Sequence, residues 1–113
     1  MIDDPEKANI FVEKLKRSMP IETRLSQSLV RTLTQQSPDT AIPATCNVID
    51  VLYAGDEGGV VCCLDIGGSE AKAAHFVSIT HLSFDRRTPL IREIEVYQRH
   101  RIKKLRRQLG RDD

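Results

Sequence analysis

The stretch that decides the fold runs from Ala44 to Ile66, "ATCNVIDVLYAGDEGGVVCCLDI". Two runs of β-branched and apolar residues, Ala44 to Tyr53 and Val60 to Ile66, flank a segment rich in glycine. Glycine adopts the positive φ angles that a tight reversal needs, so the pattern predicts an antiparallel hairpin with its loop at Gly55 to Gly58. In that register Ile49, Val51 and Tyr53 share a face with Leu64, Cys62 and Val60. Val48, Asp50 and Leu52 share the other face with Asp65, Cys63 and Val61. A slip of one residue would mix the faces.

Downstream, "GGSEAKA" from Gly67 supplies a second reversal, and "AHFVSITHLSF", Ala74 to Phe84, reads as a third strand. The second strand is the most apolar and belongs in the middle of this meander. Two registers of the third strand stay open, one turning Val77 and Ile79 inward and the other Phe76, Leu82 and Phe84. Both sheet faces carry apolar residues, so helices on one face leave the other to be sheltered, and a second subunit is a candidate for that role.

Upstream, Asp4, Pro5 and Glu6 form a helix start, because Asp caps free N–H groups, Pro suits the first helical position and acids favour the positive end of the dipole. Ala8, Phe11, Val12, Leu15 and Met19 follow at helical spacing, and the helix should stop near Ser18, ahead of Pro20. A second helix is expected from Pro20, with Ile21, Leu25, Leu29, Val30 and Leu33 on one face. Ser37 to Pro43, "SPDTAIP", is a linker by its turn chemistry. At the other end Thr88 is expected to cap a long helix with Pro89 at its first position and Gly110 as its stop. The expected architecture is a single α+β domain over residues 1–113: two N-terminal helices, a three-stranded antiparallel β-meander and one long C-terminal helix.

The totals agree with one domain. A chain of 113 residues can bury one modest core, and with 4% aromatic residues and no Trp that core must be aliphatic. The formal charge of +1 conceals an asymmetry. Residues 1–98 carry ten Lys and Arg against fourteen acids, a balance of −4, whereas residues 99–113 carry seven against two, a balance of +5. Cys46, Cys62 and Cys63 are odd in number and lack CxxC spacing, which suits buried thiols in a reducing compartment. The acidic N-terminus has no apolar leader region, and no apolar run approaches the roughly 20 residues that span a bilayer. A cytoplasmic protein with no membrane association is expected.

Asp65 followed by Glu70, Ala71 and Lys72 resembles the acid-plus-ExK arrangement of metal-dependent nucleases, in which two carboxylates hold Mg²⁺ and a lysine assists the water. With sixteen acids in the chain such a triplet arises by chance, and a hairpin turning at Gly68–Ser69 would set Asp65 opposite Lys72 as a plain cross-strand ion pair. His75 and His81 lie six residues apart, about 20 Å along a strand, too far to share a metal. Adjacent Cys62 and Cys63 point to opposite faces of a strand, and a Cys62–His75 approach would supply only two ligands. No base or helix terminus activates a thiol, and no serine sits in a GxSxG elbow. The Gly-Gly-Ser of "DIGGSE" lacks the remainder of any phosphate loop. Neither a catalytic residue, a metal nor a cofactor is therefore expected.

"QRHRIKKLRRQLGR", Gln98 to Arg111, holds seven cations and His100 without an acid. Ile91, Ile94, Gln98, Ile102, Leu105 and Leu109 fall in one stripe about 80° wide at 100° per residue, so the helix continues through the basic tract. Arg99, Arg101, Lys103, Lys104, Arg106, Arg107 and Arg111 are the candidate binding residues. They fit a solvated helix end whose cations favour the negative pole of the dipole and pair with the acids around Asp3, Asp4 and Glu6, an acidic protein partner or the −4 body of a second copy in a homodimer, or the phosphate backbone of a nucleic acid. No aromatic residue interrupts the tract, so binding by base stacking is not expected. The leading expectation is a non-enzymatic binding or assembly domain using the sheet face and the basic helix. Nucleic-acid binding is the first alternative and a metal-dependent nuclease the weaker one.

Overall fold

The computed structural model describes residues 3–66 and 75–111. Helix α1 spans Pro5–Arg17, and the Asp4 carboxylate accepts from the Glu6 and Lys7 N–H groups at its start, as the capping chemistry requires. Its buried side, Ala8, Phe11, Val12 and Leu15, faces the core.

The next segment differs from expectation. Residues Ile21–Leu25 are a strand, β1, and helix α2 begins only at Gln27 and ends at Gln36. Ile21 and Leu25 fit a helical repeat and a strand repeat equally well, and Thr23 between them decides. It is buried, and its Oγ1 donates to the Ser83 carbonyl at 2.9 Å, which only a period of two can arrange. The Ser26 Oγ then accepts from the Leu29 N–H and starts α2.

The hairpin forms as expected from β2 (Thr45–Tyr53) and β3 (Val60–Asp65), with the single turn α3 (Gly55–Gly58) as its loop. Tyr53 pairs with Val60, Val51 with Cys62 and Asp50 with Cys63. A β-bulge then breaks the alternation, and Val48, not Ile49, turns into the core opposite Leu64. Val48 is 1% exposed and Ile49 48%.

The third strand is interrupted. Strand β4 (His75–Ser78) pairs with β3, a 3₁₀ turn covers Ile79–His81, and β5 (Leu82–Ser83) pairs with β1. The turn resets the phase, so Val77, Ile79 and Leu82 are all buried while Phe76 is not. Each of the two registers left open by the sequence therefore holds over part of the segment. The sheet has five strands in place of three, ordered β4-β3-β2-β1-β5 and antiparallel throughout. The reversal from Gly67 to Ala73, with Gly68, Ser69, Glu70 and Lys72, lies outside the described residues.

This order fixes the curvature. In a flat sheet β4 and β5 would stand four spacings apart, about 19 Å. Four residue steps, Ser78 to Leu82, reach at most about 14 Å even when fully extended. The sheet must therefore coil enough to bring the end of β4 within that reach of β5, and the bulge beside Ile49 adds to that twist. Its concave side holds Ile21, Leu25, Val48, Val51, Val60, Cys62, Leu64, Val77 and Leu82, packed with Phe11, Val12 and Leu15 of α1, Leu33 of α2 and Ile94 of the last helix.

That last helix, α4, spans Ile91–Arg111. It starts two residues later than Thr88 and Pro89 suggested, because Leu90 takes a φ of 63°, outside the helical region. Leu90 uses that turn to pack against the core. Among the described residues no helix is long and apolar enough to cross a membrane.

Candidate functional site

Helix α4 presents three distinct faces. The first turns inward. Ile94 is fully buried, and the Gln98 Nε2 donates to the carbonyls of Ile79 (2.7 Å) and Leu82 (2.9 Å), tying the helix to the turn between β4 and β5. One turn further along, Arg101 is buried as well. Its Nη1 donates to the Asp3 Oδ2 at 2.9 Å, and its Nη2 donates to the Asp56 and Glu57 carbonyls of the hairpin loop at 3.0 and 2.7 Å. The two charged side chains are 3% and 2% exposed. The Tyr97 hydroxyl also donates to Asp3 Oδ2 and accepts from the Val60 N–H, both at 2.9 Å, and Asp3 N–H donates to Asp56 Oδ1 at 3.1 Å. Burial, above all, raises the pKa of Tyr97, so it stays a neutral donor.

Gly59 makes this knot possible. Its φ is +65°, and a Cβ there would lie 2.6 Å from the Arg101 Cζ and 2.7 Å from the Tyr97 hydroxyl. The N-terminal segment, the hairpin loop and α4 thus meet at one buried ion pair.

Of the seven cations expected to act together, the structure separates three groups. Arg101 points inward and is fully engaged. Arg99, Lys103, Arg106 and Arg107 lie exposed together on one side of the helix. Arg99 approaches Glu95 at 3.9 Å, and among the described residues Lys103, Arg106 and Arg107 form no salt bridge. Lys104 lies on the opposite flank, beside α1. Arg111 is the last helical residue, and its side chain lies outside the described part.

The convex side of the sheet carries a second surface. Phe76, Cys63 and Asp50 form one cross-strand row, and Ser78, Val61 and Leu52 the next. Phe76 is 54% exposed and Leu52 41%, with Ile49 of the bulge beside them. A further row, Glu22, Asn47 and Asp65, adds acids to the same side.

The thiols are held as thiols. Burial pushes Cys62 up to about 12, with Cys63 adding to the effect. Cys46 and Cys63 are raised too, first by burial and then by neighbouring carboxylates, Asp65 for both and Asp50 also for Cys63. His75 is on the concave side, diagonal to Cys62, and its Nε2 lies 3.2 Å from the Ser37 Oγ. His81 is exposed in the 3₁₀ turn, so the two histidines do not share one strand. Among the described residues no three His, Cys, Asp or Glu side chains gather as a metal site. Asp65 is exposed at the end of β3, and the Glu70–Lys72 part of the nuclease-like pattern lies outside the described residues.

Comparison with known proteins finds no matching family model, no matching curated protein and no matching solved structure.

Tyr97, Gly59 and the exposed Ile10 and Val96 carry no marking pattern in the sequence, whereas Asp3 stands among the acids expected to pair with the basic helix. One signal for the knot was there. Arg101 stands seven residues after Ile94, about 20° away on the helical wheel, and so lies within the apolar stripe.

Proposed function

We propose that this chain is a non-enzymatic, cytoplasmic binding domain that assembles with a second copy of itself through the convex side of its sheet, with the cationic end of α4 reaching onto that copy. The observation that carries this reading is the apolar patch of exposed Leu52 and Phe76 with half-buried Val61 between them, beside the acids Glu22, Asp50 and Asp65. A patch of this kind rimmed by charge is the usual mark of a contact surface. Arg101 is bonded to the hairpin loop, so the ten residues from Ile102 to Arg111 carry α4 about 15 Å onward. They bring Lys103, Arg106 and Arg107 as counter-charges to the acids of a twin. In a two-fold pair each subunit supplies both halves, so the contact closes on itself. Light scattering tests this. The wild type is expected to be a dimer, Phe76→Asp a monomer with unchanged circular dichroism, and salt is expected to weaken the pair. A wild-type monomer at about 100 μM rejects the proposal, since a Kd of about 1 μM would leave most chains paired there.

A second reading rests on the row Arg99, Lys103, Arg106 and Arg107, one exposed face on which Glu95 approaches Arg99 while the three later cations form no salt bridge among the described residues. Such a face suits the phosphate backbone of a nucleic acid. Binding to a duplex of mixed sequence that falls steeply with salt, and that is lost when Lys103, Arg106 and Arg107 become Ala, supports it. Absence of binding at low salt removes it.

A further inference from the structure

The third side of α4 faces α1 across a groove of about 710 Å³. The two helices run antiparallel. The Lys14 Nζ donates to Glu93 Oε1 at 2.9 Å at one end, and Asp3, just ahead of α1, meets Arg101 at the other. Ile10 of α1 and Val96 of α4 both line the groove, and at 52% and 61% exposed they are among the most uncovered apolar side chains described. Phe11 and Tyr97, tilted against each other with ring centres 5.3 Å apart, form part of its wall.

The charge around this groove is one-sided. Each acid at its edge is already engaged: Glu93 by Lys14, Asp3 by Arg101, and Asp4 by the N–H groups that it caps. Lys7 on one rim and Arg92 and Lys104 on the other form no ion pair among the described residues, and His100 stands beside them. Apart from Asp4, which is held by backbone N–H groups, the groove charges without an ion-pair partner among the described residues are basic, and they lie on both rims of an apolar floor.

We infer that this groove is a docking site for an acidic amphipathic helix of a partner protein. Two antiparallel helices accept a third in the furrow between them at an axial separation of about 8–10 Å. From Arg92 to Lys104 the rim is about 18 Å long, room for roughly three turns. A helix with apolar residues at i, i+3, i+4 and i+7 would bury them on Ile10 and Val96 while carboxylates on both flanks met Lys7, Arg92 and Lys104. A two-fold pairing of this groove with its own copy would set the same cations against one another across the furrow. Concavity excludes a flat bilayer, and an apolar floor offers nothing to a phosphate backbone. This surface is separate from the convex side of the sheet, so the site stands or falls independently of self-assembly.

The test is fluorescence anisotropy of the full chain with a labelled, stapled peptide of about four turns carrying leucines at that spacing and glutamates on both flanks. A peptide of the same composition with scrambled spacing and one with Lys in place of Glu are the controls. The expected result is binding of the acidic amphipathic peptide alone, weakened at least about tenfold, or about 1.4 kcal/mol, by Val96→Asp or by Lys7→Glu with Lys104→Glu. Both Ile10 and Val96 are surface positions, so their variants should keep the fold, and circular dichroism checks this. Equal binding of the scrambled peptide, insensitivity to Val96→Asp, or no binding overturns the inference. Dodecanoate binding without peptide binding overturns it in favour of an anionic lipid. Self-association abolished by Val96→Asp and untouched by Phe76→Asp overturns it in favour of a twin.

Discussion

Replacing Arg101 by Ala should be among the most damaging single changes in the molecule, although its sequence neighbours are surface cations. The guanidinium makes three hydrogen bonds of 2.7 to 3.0 Å, to Asp3 and to two loop carbonyls, at a site where both charged side chains are almost wholly excluded from water. Truncation leaves the Asp3 carboxylate buried with only the Tyr97 hydroxyl donating to Oδ2, while Oδ1 already lacks a hydrogen-bond partner among the described residues. Removing one member of such a pair costs about 3–5 kcal/mol, because the remaining charge is stranded in a low dielectric. A domain of this size is stable by about 5–15 kcal/mol in total, so up to most of the margin is at stake. At about 4 °C per kcal/mol the melting temperature should fall by roughly 12–20 °C, read by calorimetry or circular dichroism. The double variant Asp3→Leu with Arg101→Met removes both charges at similar volume and should recover much of the loss. A fall below about 4 °C for Arg101→Ala, or strict additivity of Asp3→Ala with Arg101→Ala, would refute the reasoning.

Three further outcomes follow from the same geometry. Gly59→Ala should lose at least about 1–2 kcal/mol, since an L-residue at a φ of +65° is strained and its Cβ would displace the pinned Arg101; thermal melts at wild-type stability would contradict this. Val48→Ala should cost about 2–3 kcal/mol by chemical denaturation, from the lost burial and the cavity, while Ile49→Thr should stay within about 0.5 kcal/mol. The reverse order would mean that the bulge is misplaced. Stability should fall above about pH 9. The folded state holds the Cys62 proton to about 12, against 9.0 for the free thiol, so the unfolded chain releases it first. The loss is full-strength between those values, up to about 1.4 kcal/mol per pH unit, and absent below pH 9. Cys62→Ala should flatten urea-midpoint profiles over that range, and an unchanged slope would dismiss the thiol as the cause.

The meander's hairpin was legible because its two strands alternate cleanly around glycines that can reverse the chain. Residue pairs from Asp50 to Tyr53 follow that reading, and it fails only where the bulge adds a residue. No local pattern marks a bulge, since Val48 and Ile49 are equally apolar. Strand β1 was hidden for a different reason. Five residues hold too little periodicity to separate Ile21 and Leu25 on a helix from Ile21, Thr23 and Leu25 on a strand. The choice is made by Ser83, sixty residues away, which accepts from Thr23. Likewise the 3₁₀ turn at Ile79–His81 looks like continued strand until β5 finds β1. Long-range pairing, not local propensity, wrote those parts of the fold.

The basic helix teaches the same lesson about sites. Charge counting grouped seven cations, but helical phase separates them. Arg101 follows Ile94 and Gln98 into the interior, Lys104 turns toward α1, and Arg99, Lys103, Arg106 and Arg107 remain outside. The buried member governs the exposed ones. By fastening α4 to the hairpin loop and to Asp3, Arg101 fixes where the later cations stand relative to the convex patch of Leu52, Val61 and Phe76. A free helical tail would lose orientational entropy on meeting any partner, whereas one anchored at its midpoint has already lost it on folding. The cost of the buried pair is therefore borne in the folded monomer, and its return is a cationic face held in one place.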